Sequence, residues 1–175
     1  MLIASGRETG RSTCVAIDPM DYREAMSRYA GHVQIVTTRF GEIVRGTTIT
    51  AACSVSDQPP MVLACINNQN DNNRPFFESD CFALNTLGIQ HQDLAGAFAG
   101  FGKLSSEDRF ALGRWEDMVT GAPVLTDAIA AYDCRIVDRK ITATHTVLFG
   151  EVVGLKLGEA VDSLLYLNRG FRTIG

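Results

Sequence analysis

The sequence has few cysteines, and their spacing gives them no evident structural role. Cys14, Cys53, Cys65, Cys81 and Cys134 are odd in number and include no C-x-x-C pair. This pattern argues against a disulfide framework and against a zinc ribbon. We therefore expect reduced thiols, most of them buried.

The chain also lacks a basic patch and a long apolar run. Its formal net charge is −4, and its Lys and Arg residues are scattered, so no nucleic-acid footprint is visible. No segment reaches the apolar length that a membrane span requires, and the start "MLIASGRETGRS" is not followed by a hydrophobic region. We expect a cytoplasmic protein with no nucleic-acid and no membrane partner.

Motifs for hydrolysis and metal binding are missing as well. The sequence contains no G-x-S-x-G elbow, and no neighbouring residues pair a cysteine or serine with a base. Its three histidines, His32, His91 and His145, are too far apart to form a local metal box. We expect no metal site.

The stretch "AGAFAGFGKL" looks like a phosphate loop but fails the pattern. Five residues separate Gly96 from Gly102, where a P-loop has four, and Leu104 stands in place of the magnesium-binding hydroxyl. Nor does the stretch show the G-x-G-x-x-G order of a dinucleotide fold. The pattern predicts the end of a helix followed by a glycine loop.

Length and hydrophobic periodicity predict one domain, mainly β with helices. A chain of 175 residues with 46% hydrophobic content can bury a real core. Residues 1–16 have no periodicity and are expected to be a flexible tail, followed by a domain over 17–175. A helix is predicted from Asp18 to Gly31, helices at "HQDLAGAF" and "SSEDRFAL", and β-strands elsewhere, with "DSLLYLNRGFRTIG" as a short strand plus loop. Regular βαβ alternation is absent, which favours a β-barrel carrying helices.

The segment 46–66, "GTTITAACSVSDQPPMVLACI", concentrates small hydroxyl residues between two apolar runs. Short Thr and Ser side chains supply donors and acceptors, and Ala51 and Ala52 let a flat ligand approach the main chain. Such a surface suits an aromatic ring with polar edge atoms. By itself the segment is equally compatible with a Thr-rich strand and turn.

Four motifs, in this order, resemble the flavin reductase family. They are the hydroxyl-rich segment with Pro59-Pro60, the strand "FALNTL", the stretch "HTVLFGEV" and the terminal "LLYLNRGFRT". The resemblance covers the chain from about residue 20 to its end. It implies an FMN-binding split β-barrel of Greek-key type that is homodimeric, uses FAD or FMN, and is reduced by NADH or NADPH.

The resemblance also implies which residues meet the cofactors. In the hydroxyl-rich segment it places one group along the isoalloxazine edge and a second by the ribityl chain and phosphate. The first group is Thr48, Ile49 and Thr50, and the second is Cys53, Ser54 and Val55.

Further positions follow from the later motifs. His145 is expected against the nicotinamide as the catalytic residue, with Tyr166 and Arg169 bordering the same cavity. Asn85, Thr86 and Phe98 are expected to approach the flavin, and Arg169, Arg172 and Lys103 to offset the charge of its phosphates.

The chemistry explains why no acid and base pair stands out. Hydride passes from nicotinamide C4 to flavin N5, so the protein must mainly stack and orient two rings. Three functions stay open: a reductase that supplies reduced flavin to a monooxygenase, a corrinoid (cob(II)yrinic acid a,c-diamide) reductase of cobalamin synthesis, and a flavin- or haem-binding protein without turnover. The Asn-rich stretch 67–77 is a candidate loop at the substrate entrance.

Overall fold

The computed structural model describes residues 16–175, and these form twelve β-strands and four α-helices. The tail predicted over 1–16 lies outside the described residues except for its last position. The helices are α1 (Pro19–Ser27), α2 (Arg74–Glu78), α3 (Gln92–Phe98) and α4 (Ser106–Ala111). The strands are β1 (Gly31–His32), β2 (Gln34–Phe40), β3 (Ile43–Ile49), β4 (Ala52–Asp57), β5 (Pro60–Asn67), β6 (Cys81–Thr86), β7 (Trp115–Asp117), β8 (Pro123–Leu125), β9 (Ala130–Ile141), β10 (His145–Leu157), β11 (Ser163–Leu167) and β12 (Gly170–Ile174).

The main sheet has seven antiparallel strands in the order β3-β2-β6-β9-β10-β5-β4. Its two end strands, β3 and β4, follow one another in the chain and are joined by Thr50 and Ala51. The sheet encloses a core but stays unpaired between these ends, so it is split and not closed. The prediction of a mainly β split barrel with helices is confirmed.

The inner face of this sheet holds one apolar cluster. Burial alternates along β5, where Val62, Ala64 and Ile66 are buried and their neighbours are not, as expected for a strand with one core face. Phe76 of α2 is fully buried in the same cluster, so α2 packs over one end of the barrel. The cluster consists of Val36, Val62, Ala64, Ile66, Phe76, Phe82, Leu84, Cys134 and Leu148.

A second cluster covers the outer face of β2, β6 and β9. It is formed with α3, the short pair β7-β8 and the three-stranded sheet β1-β11-β12. Phe98 of α3 packs with Phe110 and Trp115, with ring centroids 5.1 and 5.6 Å away. The outer face of β4, β5 and β10 contributes no buried member to either cluster.

Two sequence-based predictions are corrected at the chain ends. The last segment forms a complete hairpin, β11-β12, with Asn168 and Arg169 at positive φ in its turn. The first helix ends at Ser27, before Gly31, and none of its residues is buried. The apolar residues whose helical spacing predicted it are exposed, with Tyr22 at 58% and Met26 at 46%.

Across residues 16–175, every helix is too short or too polar to cross a bilayer.

Candidate functional site

The link between β3 and β4 lies at the centre of the predicted cofactor residues. Strand alternation decides which of them face outward here. On β5 and β10 the buried positions are Ile66, Thr146 and Leu148, so the residues between them face away from the core. We call the outward-facing surface around this link the split face; its residues are Thr48, Thr50, Ala51, Cys53, Cys65, Asn67 and His145.

Backbone pairing brings three distant segments of this surface together. The Cys65 N–H donates to the Ala51 carbonyl at 2.9 Å, and Cys65 pairs with Val147 on its other side. His145, two residues before Val147, pairs with Asn67. Because neighbouring strands lie about 4.8 Å apart, His145 stands roughly two strand spacings from the β3–β4 link.

His145 itself is half-buried at the start of β10. Its Nδ1 lies 2.9 Å from Thr144 Oγ1, and the structure gives Nε2 no hydrogen bond within residues 16–175. One ring nitrogen is thus held by a local hydroxyl while the other is available to a ligand.

The free edges of β3 and β4 add main-chain groups to the split face. In the part of the chain that the structure describes, β3 pairs with β2 alone and β4 with β5 alone. Each of these strands therefore has one row of N–H and C=O groups without a ladder partner. Such a row can hydrogen-bond the alternating donors and acceptors on the edge of a heterocycle.

The predicted threonines on β3 have distinct environments. Thr48 Oγ1 donates to the Ala95 carbonyl of α3 at 2.7 Å, so its hydroxyl is already used in packing. Thr50 is exposed and lies against Gly31, where a Cβ would come within 2.7 Å of the Thr50 Cβ. Ile49 is half-buried and its side chain packs against the inner cluster, so its expected place along the ligand edge stays a prediction for its main chain.

Tyr166 reaches the same neighbourhood through β1. Gly31 pairs with Tyr166 in the small sheet, and Tyr166 packs edge-on against Phe171 at 5.6 Å. The terminal aromatic motif therefore lies beside Thr50, as a shared site requires.

A cavity of about 550 Å³ adjoins the split face at Cys53. Ser54 pairs with the buried Val62 and lines this cavity together with Thr86 and Cys53. Val55 lies in a β-bulge between Ser54 and Ser56 and is exposed.

Sequence reasoning missed three polar residues of this cavity, His32, Gln34 and Tyr132. The Gln34 side-chain oxygen is buried and has no hydrogen-bond partner among the described residues. One feature of the sequence could have indicated Gln34: it is a single glutamine inside the otherwise β-branched run "HVQIVTT".

Asn85 does not face a ligand. It is fully buried, its amide nitrogen donates to the Ile35 carbonyl at 3.0 Å, and its amide oxygen accepts from Leu125 N–H at 2.8 Å. The side chain joins β8 to the main sheet, which corrects the expectation that it contacts flavin.

Phe98 is likewise an interior residue. It is 2% exposed and packs directly on Gly46. The expectation that it reaches the flavin phosphates is therefore corrected. The glycine loop that follows has Gly100 and Gly102 at positive φ, as predicted for the end of a helix.

The cations expected near phosphates are spread over the surface. Arg169 pairs with Glu24 of α1 at 2.9 Å, Arg172 donates to the Phe171 carbonyl at 2.7 Å, and Lys103 is exposed. Their role toward cofactors stays a prediction.

The described thiols differ in environment. Cys81 and Cys134 are buried, Cys65 is half-buried and Cys53 is exposed, so the expectation of mostly buried thiols holds for two of the four. Burial raises the pKa of the Cys65 thiol, and the neighbouring Cys53 adds to that rise. Within residues 16–175 no three His, Cys, Asp or Glu side chains cluster in a way that could hold a metal.

Comparison with known proteins gives consistent matches. A sequence profile described as "Flavin reductase like domain" matches residues 26–175. The protein named FMN reductase (NADH) RutF of Methylorubrum populi is 41% identical over 162 residues, which cover 93% of this chain and 79% of that protein.

Solved structures match over similar lengths. The ycdh protein of Haemophilus somnus 129PT superposes with a TM-score of 0.85 at 34% identity, covering 90% of this chain and 100% of that one. The Streptomyces globisporus NADH:FAD oxidoreductase SgcE6, solved with NAD and FAD fragments, gives a TM-score of 0.80 at 27% identity, over 92% and 97% of the two chains.

Proposed function

Because the chain belongs to the flavin reductase-like family and is an oxidoreductase whose cofactors are flavin and NADH, we propose that it reduces FMN with NADH on the split face. The observation that carries this placement is the convergence of the β3–β4 link with the row Ala51, Cys65 and Val147. His145 lies two residues before Val147 on β10, opposite Asn67.

The residues of the split face fit a flavin ring. The unpaired edges of β3 and β4 offer main-chain donors and acceptors to the polar edge of the isoalloxazine. Ala51 and Ala52 keep the approach to this backbone open, and Thr50 adds an exposed hydroxyl. Ser54 and Val55 then lie along β4, in the direction of the ribityl chain.

His145 positions the nicotinamide in this proposal. It is half-buried, one ring nitrogen is held by Thr144, and its partner Asn67 is exposed. When bound, the flavin accepts hydride from NADH, so the chain's own residues need to bind and orient the rings and to limit water between them.

FMN and NADH are the favoured pair on the evidence of the relatives. The Methylorubrum populi protein and a Variovorax paradoxus protein 42% identical to this chain are both named FMN reductase (NADH). Both names support the same cofactors here.

A monooxygenase is the proposed user of the reduced flavin. The residues of the split face are exposed or half-buried, which supports a flavin that exchanges with solution and can be passed to a second enzyme. The corrinoid alternative has no support in the relatives' names, and their naming as reductases disfavours a protein without turnover.

The homodimer belongs to the same proposal. Two uncovered surfaces support it: the apolar side chains of α1, including Tyr22 and Met26, and the outer face of β5 and β10, with Leu63 and Phe149 half-buried. Light scattering on the purified protein would give twice the 19.0 kDa chain mass; the mass of one chain would overturn the dimer.

The direct test is anaerobic stopped-flow spectroscopy. Purified protein is mixed with FMN or FAD and then with NADH or NADPH, and the bleaching of the flavin band is followed. Fast bleaching with FMN and NADH supports the proposal and ranks the four combinations. Flavin that binds but stays oxidised would contradict it.

A further inference from the structure

Arg45 on β3 is a half-buried cation without an acidic partner. Its Nε and Nη2 lie 3.4 and 3.3 Å from one acceptor, the neutral Asn73 Oδ1. In the part of the chain described, no carboxylate lies within ion-pair distance of its guanidinium. An unpaired charge in this setting is costly, because partial burial removes solvation that nothing replaces.

A second arginine faces the same region from α4. Arg109 is half-buried, and its Nε donates to the Leu104 carbonyl at 3.0 Å; it too has no carboxylate partner within residues 16–175. Burial lowers the pKa of Arg45, and the charge of Arg109 lowers it further. The Ser106 hydroxyl donates to the Val44 carbonyl at 3.4 Å, so the first turn of α4 lies directly beside the β3 residue that precedes Arg45.

A cavity of about 400 Å³ lies next to Arg45. Arg45, Asn72 and Ser106 line it, and Ser106 is one helical turn before Arg109, on the same side of α4. The acidic and basic residues that also line the cavity are Arg74 and Glu78, which pair with each other at 2.6 Å, and Asp71.

The shapes of these groups favour one class of ligand. A guanidinium presents a planar fork of N–H donors that matches the oxygens of a phosphate. A phosphate dianion would compensate both arginines, and the Asn72 amide is an additional donor at the rim.

We infer that Arg45 and Arg109 form a binding site for a phosphate group at this cavity. Along the chain, the site lies before Thr48, whereas Cys53, Ser54 and Val55 lie after it. These three residues are the ones expected to lie beside the flavin phosphate. Arg45 precedes Thr48 by three residues, about 10 Å along an extended strand, so the phosphate of a nucleotide on the split face and free phosphate are both possible sources.

The test measures inorganic phosphate binding by isothermal titration calorimetry, so it does not depend on the reductase assignment. The variants are Arg45→Gln and Arg109→Gln, with Arg135→Gln, an exposed arginine on β9, as the matched control. We expect phosphate to bind the unchanged chain and the control equally, and about tenfold more weakly to each of the other two. A thermal melt of every variant confirms that it is folded.

A second titration separates the two sources. The affinity ratio of FMN to riboflavin is measured in the unchanged chain and in Arg45→Gln. A ratio that falls with Arg45→Gln identifies the cofactor's phosphate as the ligand, whereas an unchanged ratio together with lost phosphate binding identifies a site for free phosphate or another phosphate ester. No phosphate binding, or equal binding in all four proteins, would overturn the inference.

Discussion

Arg169, in the turn between β11 and β12, forms an ion pair with Glu24 of α1, with 2.9 Å between Nη1 and Oε2. The same turn is tied to the helix by Asn168 N–H, which donates to the Ser27 carbonyl at 2.7 Å. A residue expected to hold cofactor charge thus joins the first helix to the last hairpin. This joint brings Tyr166 and α1 to the same side of the molecule.

The Glu24–Arg169 pair predicts a pH-dependent stability. The hydrogen bond from Arg169, and then its charge, hold the pKa of Glu24 below its ordinary value of 4.5. The stabilisation is therefore present above pH 4.5 and is lost as the pH falls through the lowered folded-state pKa. We expect the Tm difference between the unchanged protein and Glu24→Gln to be small, because both side chains are largely exposed, and to disappear in acid.

Glu159→Gln is the control for this effect, since Glu159 is exposed and unpaired in residues 16–175. It should show no such pH-dependent difference. A Glu24→Gln difference that persists at about pH 3 would contradict the ion-pair explanation.

His145→Ala should separate NADH use from flavin binding. We expect a loss of about tenfold or more in the rate of flavin reduction, with the FMN dissociation constant changed by less than about threefold. Stopped-flow bleaching and flavin fluorescence measure the two quantities. His91→Gln is the matched histidine control, because His91 lies beside Asp127 and lines neither the split face nor the cavity of about 550 Å³, and it should keep the rate. A rate equally reduced in both variants would contradict a specific role of His145.

Asn85→Ala should destabilise the fold without changing ligand affinity. It would leave the buried Ile35 carbonyl and Leu125 N–H without partners, at a cost of about 2–4 kcal/mol. Urea denaturation measures the loss. Asn85→Asp keeps the acceptor for Leu125 N–H but sets a buried carboxylate against the Ile35 carbonyl, so it should lose at least as much. Weaker FMN binding by the folded protein would show that Asn85 contacts the ligand.

Gly46→Ala should crowd Phe98. A Cβ at Gly46 would come 2.8 Å from Phe98 Cδ1, so the ring must move and unfolding becomes easier by about 1–3 kcal/mol. A second substitution, Phe98→Leu, frees space at the same point. The double variant should therefore lose less stability than the sum of the two single changes; simple additivity would contradict the contact.

Thiol labelling should report flavin on the split face. Cys14→Ser is used as the background, which leaves the four described cysteines. Cys53 is exposed and should react first with a disulfide reagent, whereas Cys65 should react more slowly and gain rate at higher pH, because its pKa is raised. FMN should protect Cys53 severalfold, and labelling of Cys53 at the same rate with and without FMN would place the flavin elsewhere.

Local sequence patterns determined most of the elements. The apolar run "MVLACI" and the β-branched hairpin "HVQIVTTR" to "EIVRGTTIT" were sufficient to predict β5, β2 and β3. The continuous apolar run favours burial of β5 on both faces, but the structure buries only one. The Asp18-Pro19 start of α1 was also readable, since Asp18 accepts from Met20 N–H at 2.6 Å. The hairpin β11-β12 could not be predicted in this way. Its turn places Asn168 and Arg169 at positive φ, where a glycine would have been the usual signal.

For the residues of the candidate site, too, the sequence determined some features and the tertiary structure determined others. The sequence by itself determined the family and the hydroxyl-rich segment, because the order of motifs survives without any coordinates, and it singled out His145 as a prediction. Only the tertiary structure decided which side chains are buried: it turned Asn85 and Phe98 into the interior and brought Cys65 between Ala51 and Val147. The physical reason is that facing is set by strand register and by the layers packed on each side of a sheet, and both arise from contacts between segments far apart in the chain.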